Sequence, residues 1–177
     1  MRQLILSCSL SPTSRSAIMA RALEEALRAK GDQVELIDLR QLELPFCDGK
    51  ACYSHPNVVR LQKAVAAAAA VTVATPIYNY EVGGATRNLV ALVSQGWTER
   101  VVGFVCAAGG QGSYMAVMGL ANSLMLDFRC VIVPRFAYAT GAAFEEGRLM
   151  DGEVRERIMG LAADLRRFGT LLAETSS

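Results

Sequence analysis

Short apolar runs alternate with longer amphipathic stretches along most of the chain. Leu4–Cys8 (LILSC) has the length and character of a buried strand. Over Ser14–Lys30, Met19, Leu23, Ala26, Leu27 and Lys30 recur at three- and four-residue spacing, and Gly31 stops the helix that this predicts. Val34–Leu39 is a second strand. Val58–Ala69 is an alanine-rich helix, and Val71–Ala74 is a third strand that ends at Thr75-Pro76. Gly84–Val93 reads as helix, Val101–Ala107 as a fourth strand, Tyr114–Leu126 as helix and Cys130–Val133 as a fifth strand. Arg40–Pro56 is irregular, punctuated by Pro45, Gly49 and Pro56, and Arg135–Asp151 resolves only into a loop and an extended segment. The last helix carries the clearest stripe: Val154, Ile158, Leu161, Leu165, Phe168 and Leu172, with arginines between them.

Five buried-type strands alternating with helices predict an α/β fold, a parallel sheet covered on both faces. The expected architecture is doubly wound, five-stranded, order 2-1-3-4-5, with right-handed crossovers, and residues 1–177 form a single domain. In such sheets the ligand crevice lies beyond the carboxyl ends of strands one and three. The segments after Cys8, Ala74 and Ala107 are therefore expected to meet there.

Composition narrows the function classes. Lys and Arg number 18 against 17 Asp and Glu, which gives no support for a nucleic-acid or anionic-membrane partner. No apolar run approaches the roughly 20 residues of a membrane span, and no secretory leader is legible, so the expected location is the cytoplasm. The five cysteines are an odd number, better suited to reduced thiols than to a disulfide framework.

The first of the three segments, Ser9–Ser16 (SLSPTSRS), holds four serines, one threonine and one arginine at a helix start. One cap needs one hydroxyl; so many hydroxyls beside free helix-terminal amides and Arg15 suit a phosphate. A dinucleotide fingerprint and a Walker-type loop are both absent, which points to a mononucleotide. The second segment, Thr75–Gly84 (TPIYNYEVGG), offers a proline and two tyrosines that can hold a flat ring or pack as core. The third, Ala107–Ser113 (AAGGQGS), lets backbone amides approach a ligand closely.

At these residues the sequence resembles the NAD(P)H-dependent FMN reductase family, a branch of the flavodoxin-like fold. The resemblance runs over about residues 2 to 134 and is carried by Cys8–Ser16, by the T-P-x-Y-N segment Thr75-Pro76-Ile77-Tyr78-Asn79, and by Gly109-Gly110-Gln111-Gly112. It implies that Ser9, Ser11, Ser14, Arg15 and Ser16 hold the FMN phosphate. Pro76, Ile77, Tyr78 and Asn79 then line the ribityl chain and ring, and Gly109, Gly110 and Gln111 close the other edge. Two positions depart from the family pattern: Cys8 stands where a glycine is usual and Ser11 where an arginine is usual, leaving charge compensation mainly to Arg15. The Tyr114–Leu126 helix lacks the aromatic insertion of the sulfonate-linked members, which points to a tightly held FMN.

The implied activity is hydride transfer from NADPH or NADH to FMN, then electron transfer to a small acceptor such as a flavin, quinone, azo dye or metal oxyanion. No catalytic side chain is needed, since the chemistry belongs to the cofactor. A flavodoxin-type electron carrier is the rival, disfavoured by the balanced charge, and a flavin-based redox sensor is a third reading. Cys47, Cys52 and His55 lie close in sequence but lack a fourth ligand, so no metal site is assigned. Glu81 and Asp127 show no carboxylate partner. A homodimer or homotetramer is expected, through the Leu89–Val93 run, the stretch around Trp97 and the alanine-rich helix.

Overall fold

A computed structural model describes residues 1–175. The first βαβ unit follows the hydrophobic pattern closely. Strand β1 (Arg2–Ser7) sends Leu4 and Leu6 to one face of the sheet and Ile5 to the other, all buried. Helix α1 (Arg15–Ala29) begins at Ser14, whose hydroxyl accepts the Ala17 N–H at 3.1 Å, and it buries Met19, Leu23 and Leu27. Strand β2 (Gln33–Asp38) pairs in parallel with β1, as does β3 (Ala70–Tyr78) on the other side after helix α2 (Pro56–Ala67).

Strand β3 runs further than its sequence suggests. Every residue from Ala70 to Ile77 is buried, and Thr75 and Pro76 pair with Cys106 and Ala107 of β5 (Val101–Ala107). Thr75–Tyr78 is therefore strand and not loop, because two flanking strands compel extension where composition reads as a turn. A two-residue turn at Asn79 and Tyr80 then folds the chain back as β4 (Glu81–Val82), antiparallel to β3.

Helix α3 (Gly84–Val93) follows. Beyond β5, a 3-10 stretch (Gln111–Val117) precedes helix α4 (Met118–Phe128), so the expected Tyr114–Leu126 helix starts later and tighter; Ser113 departs from helical geometry inside the 3-10 stretch. The fifth strand is split into β6 (Val131–Ile132) and β7 (Ala137–Ala139), each parallel to β5. Pro134 lies between them and has no N–H for the ladder. The sheet path is β2-β1-β3-β5-β6, with β4 attached to β3 and β7 to β5: the doubly wound fold class holds, but the sheet has seven strands and not the expected five, because the chain turns back after β3 and pairs again with β5 beyond Pro134. The segment after β7 forms a hairpin, β8 (Phe144–Glu145) and β9 (Arg148–Leu149), before α5 (Gly152–Thr175).

Two apolar layers sandwich the sheet. Helices α2, α3 and α4 cover one face and α1 and α5 the other. Gly103 on β5 lets α5 approach: a Cβ there would sit 3.0 Å from a Leu161 methyl. Leu89, Leu92, Val93 and Trp97, expected at a subunit contact, are instead fully buried within the chain. Trp97 donates its indole N–H to the Val90 carbonyl at 3.2 Å. All five cysteines are free thiols. Among the described residues no helix is long and apolar enough to cross a membrane.

Candidate active-site cleft

The three segments converge beyond the carboxyl ends of β1, β3 and β5. They line a cleft of about 700 Å³ together with the β8–β9 hairpin. Of the residues singled out in the sequence, Ser9, Ser11, Ser14, Arg15, Ser16, Pro76, Ile77, Tyr78 and Gly109 lie on its wall. Asn79, Gly110 and Gln111 adjoin the wall without lining it. Gln111 lies instead beside a second hollow with Tyr114 and Tyr138.

The hydroxyl-rich loop is held by its own side chains. Ser9 Oγ accepts the Ser11 N–H at 3.3 Å, and Ser11 Oγ accepts the Thr13 N–H at 3.3 Å. Ser14 and Ser16 share a hydrogen bond at 3.1 Å, so Ser14 serves both as the cap of α1 and as part of the wall. Arg15 and Ser16 are the first two helical residues, and their amides have no carbonyl within the helix to bond. The helix dipole adds positive potential at the same place. The Arg15 guanidinium lies over the Phe144 ring at 6.0 Å, and it approaches Gly141 so closely that a Cβ there would meet it at 3.1 Å.

A second arginine, not singled out in the sequence, shapes this loop from behind. Arg40 donates through Nη1 to the carbonyls of Ser11 and Pro12, at 3.3 and 3.2 Å. Its Nε bonds both oxygens of Asp38 at 3.0 Å. The hydrogen bond from Arg40 holds the Asp38 carboxyl below its ordinary range, against the opposing effect of burial. Only the fold could reveal this, because the carbonyls involved lie on a loop far away in sequence.

The β3–β4 turn shapes the next wall. Asn79 and Tyr80 both adopt positive φ, at 52° and 62°, the geometry of a tight hairpin turn. Tyr78 and Tyr80 remain more than half exposed, at 57% and 56%, so both rings stay available for contact. Below them Thr75 and Thr86 bond through their hydroxyls at 2.7 Å, fully buried. Gly83 donates to the Pro76 carbonyl at 3.0 Å, and a Cβ there would sit 3.2 Å from the proline ring. Glu81, which shows no carboxylate partner in the sequence, pairs with Arg87 at 3.0 Å.

On the third side Ala108 donates to the Ala139 carbonyl at 2.9 Å, and the Tyr138 hydroxyl bonds the Gly110 carbonyl. Burial pushes the Tyr138 phenol upward. The fourth wall, Phe144, Glu146 and Gly147, lies outside the three segments that the sequence singles out. Its signal is the Glu146-Gly147 pair between Phe144 and Leu149; both residues have positive φ, at 45° and 75°. Cys8, which departs from the resembled motif, is buried beneath the loop, and its thiol is pushed up to about 12 by desolvation. His55 caps a helix: its Nδ1 accepts the Asn57 N–H at 3.3 Å at the start of α2.

Comparison with known proteins bears on the family and the fold. The sequence profile of the NADPH-dependent FMN reductase family matches residues 1–145. A curated relative, the NAD(P)H-dependent FAD/FMN reductase of Geobacillus thermodenitrificans, is 31% identical over 92% of this chain and 90% of its own. The probable NADPH:quinone oxidoreductase 2 of Oryza sativa subsp. japonica is 26% identical over 97% of this chain and 90% of its own. In fold, an oxidoreductase from Corynebacterium diphtheriae superposes with a TM-score of 0.80 at 21% identity, covering 96% of each chain. With its flavodoxin-like sheet, its cleft at the switch point and a family match over most of its length, the chain belongs to the NADPH-dependent FMN reductase family.

Proposed function

We propose that this protein is an FMN-dependent NAD(P)H oxidoreductase that works with small-molecule electron acceptors. The observation that carries the reading is the convergence of a hydroxyl-rich helix N-terminus, an arginine and the exposed Tyr78 on one cleft. The residues present fit FMN. The first-turn amides of α1, the hydroxyls of Ser9, Ser11, Ser14 and Ser16, and Arg15 supply donors and positive potential for one phosphate group. The cleft volume suits a mononucleotide-sized ligand.

In this reading Pro76, Ile77 and Tyr78 line the ribityl chain and ring, with Asn79 at the turn. Gly109 borders the opposite edge, with Gly110 and Gln111 at the rim. When bound, FMN supplies the redox chemistry, accepting hydride from NADH or NADPH and passing electrons to an acceptor such as a flavin, quinone, azo dye or metal oxyanion. The protein's part is to hold the phosphate, orient the ring and leave one ring face open. Backbone amides of the glycine loop offset negative charge at that edge.

Residues 1–177 act as one unit in this reading, with no nucleic-acid partner. A cytoplasmic location is supported by the five free thiols. Assembly as a homodimer or homotetramer is supported by Met115, Met118, Met125 and Leu126, which lie exposed along the 3-10 stretch and α4.

The test is direct. Purified protein should be yellow, release FMN and not FAD on denaturation, and oxidise NADPH or NADH without a separate reductase. Protein that binds no FMN in a titration overturns the reading. A flavin-loaded protein that needs a separate reductase is instead an electron carrier.

A further inference from the structure

Cys47 and Cys52 lie outside the cleft, on the long connection between β2 and α2. Their sulfurs are 3.8 Å apart. The chain between them is folded to keep them so. Asp48 Oδ1 accepts the N–H groups of Lys50 at 2.9 Å and Cys52 at 3.1 Å, drawing residue 52 back over residue 48. Gly49 makes the reversal at φ +73°, where a side chain would be strained.

Each cysteine is also anchored from outside the turn. The Cys47 N–H donates to Asn88 Oδ1 at 2.9 Å, and Asn88 Nδ2 bonds the Pro45 carbonyl at 2.9 Å, which ties this end to α3. Cys52 sits in a 3-10 turn (Ala51–Ser54), buried against Val58 and Leu92. We propose that Cys47 and Cys52 are a redox-active pair that closes to a reversible intramolecular disulfide when the protein meets hydrogen peroxide. An S–S bond is about 2.05 Å long, so the sulfurs need approach each other by roughly 1.7 Å, within reach of side-chain rotation and a small shift of the turn.

The two thiols are unequal. Cys47 is half-buried, and the Gly49 N–H and the Tyr53 hydroxyl, 3.7 Å from its sulfur, favour its thiolate. Cys52 is buried, and desolvation favours its protonated form. This fits Cys47 as the attacking sulfur and Cys52 as the resolving one. The Cys47 thiolate attacks one peroxide oxygen; the O–O bond breaks and hydroxide leaves as water after protonation, giving a sulfenic acid. Cys52 sulfur then attacks Cys47 sulfur; the S–O bond breaks, and the departing hydroxide takes the Cys52 proton as a second water. Two thiols and one peroxide become one disulfide and two waters, with two electrons passing from sulfur to peroxide. The other thiols serve as internal controls. Cys8, Cys106 and Cys130 are buried and pushed up to about 12, 12 and 11.

The test uses the FMN-loaded full chain, treated with a few equivalents of hydrogen peroxide, quenched by alkylation and digested with trypsin without reductant. Lys50 lies between the two cysteines, so cleavage after Arg40, Lys50 and Arg60 puts Cys47 on peptide 41–50 and Cys52 on peptide 51–60. The expected result is a disulfide-linked pair of these peptides, with free thiols falling from five to three and returning with dithiothreitol. In Cys52→Ser, dimedone should label Cys47, whereas in Cys47→Ser residue 52 should stay unlabelled. Retention of all five thiols overturns the assignment. So does a disulfide through Cys8, Cys106 or Cys130, or between chains, or oxidation of Cys47 in the wild type straight to sulfinic acid. The wild-type measurement decides even if a variant fails to fold.

Discussion

Among the described residues Arg15 is the one cation on the wall of the cleft, and its setting is more constrained than a surface arginine's. It begins a helix whose dipole already favours an anion, and Phe144 and Gly141 flank its guanidinium. A hydrogen bond to a charged group contributes about 1.5–3 kcal/mol; Arg15, which brings a full opposite charge to the phosphate, stands at the upper end, and Ser9, with a neutral hydroxyl, at or below the lower end. Arg15→Ala should therefore raise the FMN dissociation constant by about 10- to 100-fold, and Ser9→Ala by less than about tenfold. Fluorescence titration of both variants measures this. Equal constants would show that backbone amides and the helix dipole carry the phosphate.

Among elements, the hydroxyl-rich loop depends on the end of β2. Arg40 links the Asp38 carboxylate to the carbonyls of Ser11 and Pro12, so a strand terminus props up a loop that follows a different strand. Asp38 is held below its usual range chiefly by the hydrogen bond from Arg40. A carboxylate depressed in the folded state stabilises the fold above its unfolded value, about 3.9, and that contribution is lost as pH falls through the folded value. Asp38→Asn should thus lower Tm at pH 7, by about 2–4 °C for each kcal/mol lost. The gap from wild type should narrow on acidification below about pH 4. Thermal melts of both proteins from pH 7 to pH 3 test it, and a gap that stays constant would show that the pair contributes through packing alone.

For the molecule as a whole, the apolar surface lies elsewhere than the sequence pattern suggests. Leu89, Val93 and Trp97 are consumed by the layer between the sheet and α2, α3 and α4, and Leu92 by a smaller cluster with Cys52 and Val58. Four exposed apolar side chains, Met115, Met118, Met125 and Leu126, gather instead on the 3-10 stretch and α4, while others such as Leu10, Phe46 and Met159 are scattered over the surface. Covering these four in a closed, symmetric contact relieves that exposure. Sedimentation at micromolar concentration should show a dimer or tetramer, and the double substitution Met118→Lys with Leu126→Lys should shift it towards monomer. A wild-type monomer under those conditions, turning over NAD(P)H at full rate, would refute both the assembly and any pocket shared between subunits.

Much of the fold is legible in the sequence because the deciding physics is local. Burial on both sheet faces makes the strands continuous apolar runs, amphipathic spacing marks α1 and α5, and the α/β alternation by itself implies the switch-point crevice. The Ser9–Ser16 loop is legible for the same reason, since a helix N-terminus collects its hydroxyls within a few residues. The rest depends on neighbours distant in sequence. Thr75–Tyr78 is strand because β5 and β4 pair with it. The expected fifth strand, Cys130–Val133, shortens to β6, and β7 forms beyond Pro134 in the stretch that the sequence resolves only into a loop and an extended segment. The fourth wall comes from residues 144–147, brought back over the cleft by the turn at Glu146 and Gly147. Arg40, whose neighbours in sequence say nothing of phosphate, enters the site's support through carbonyls of another loop. The sequence by itself determined the α/β alternation, the helical layers on both sheet faces and the hydroxyl-rich character of the Ser9–Ser16 loop. Tertiary structure alone decided which side chains remain exposed, which cysteines meet and what holds the loop, because each depends on contacts between elements that no local pattern encodes.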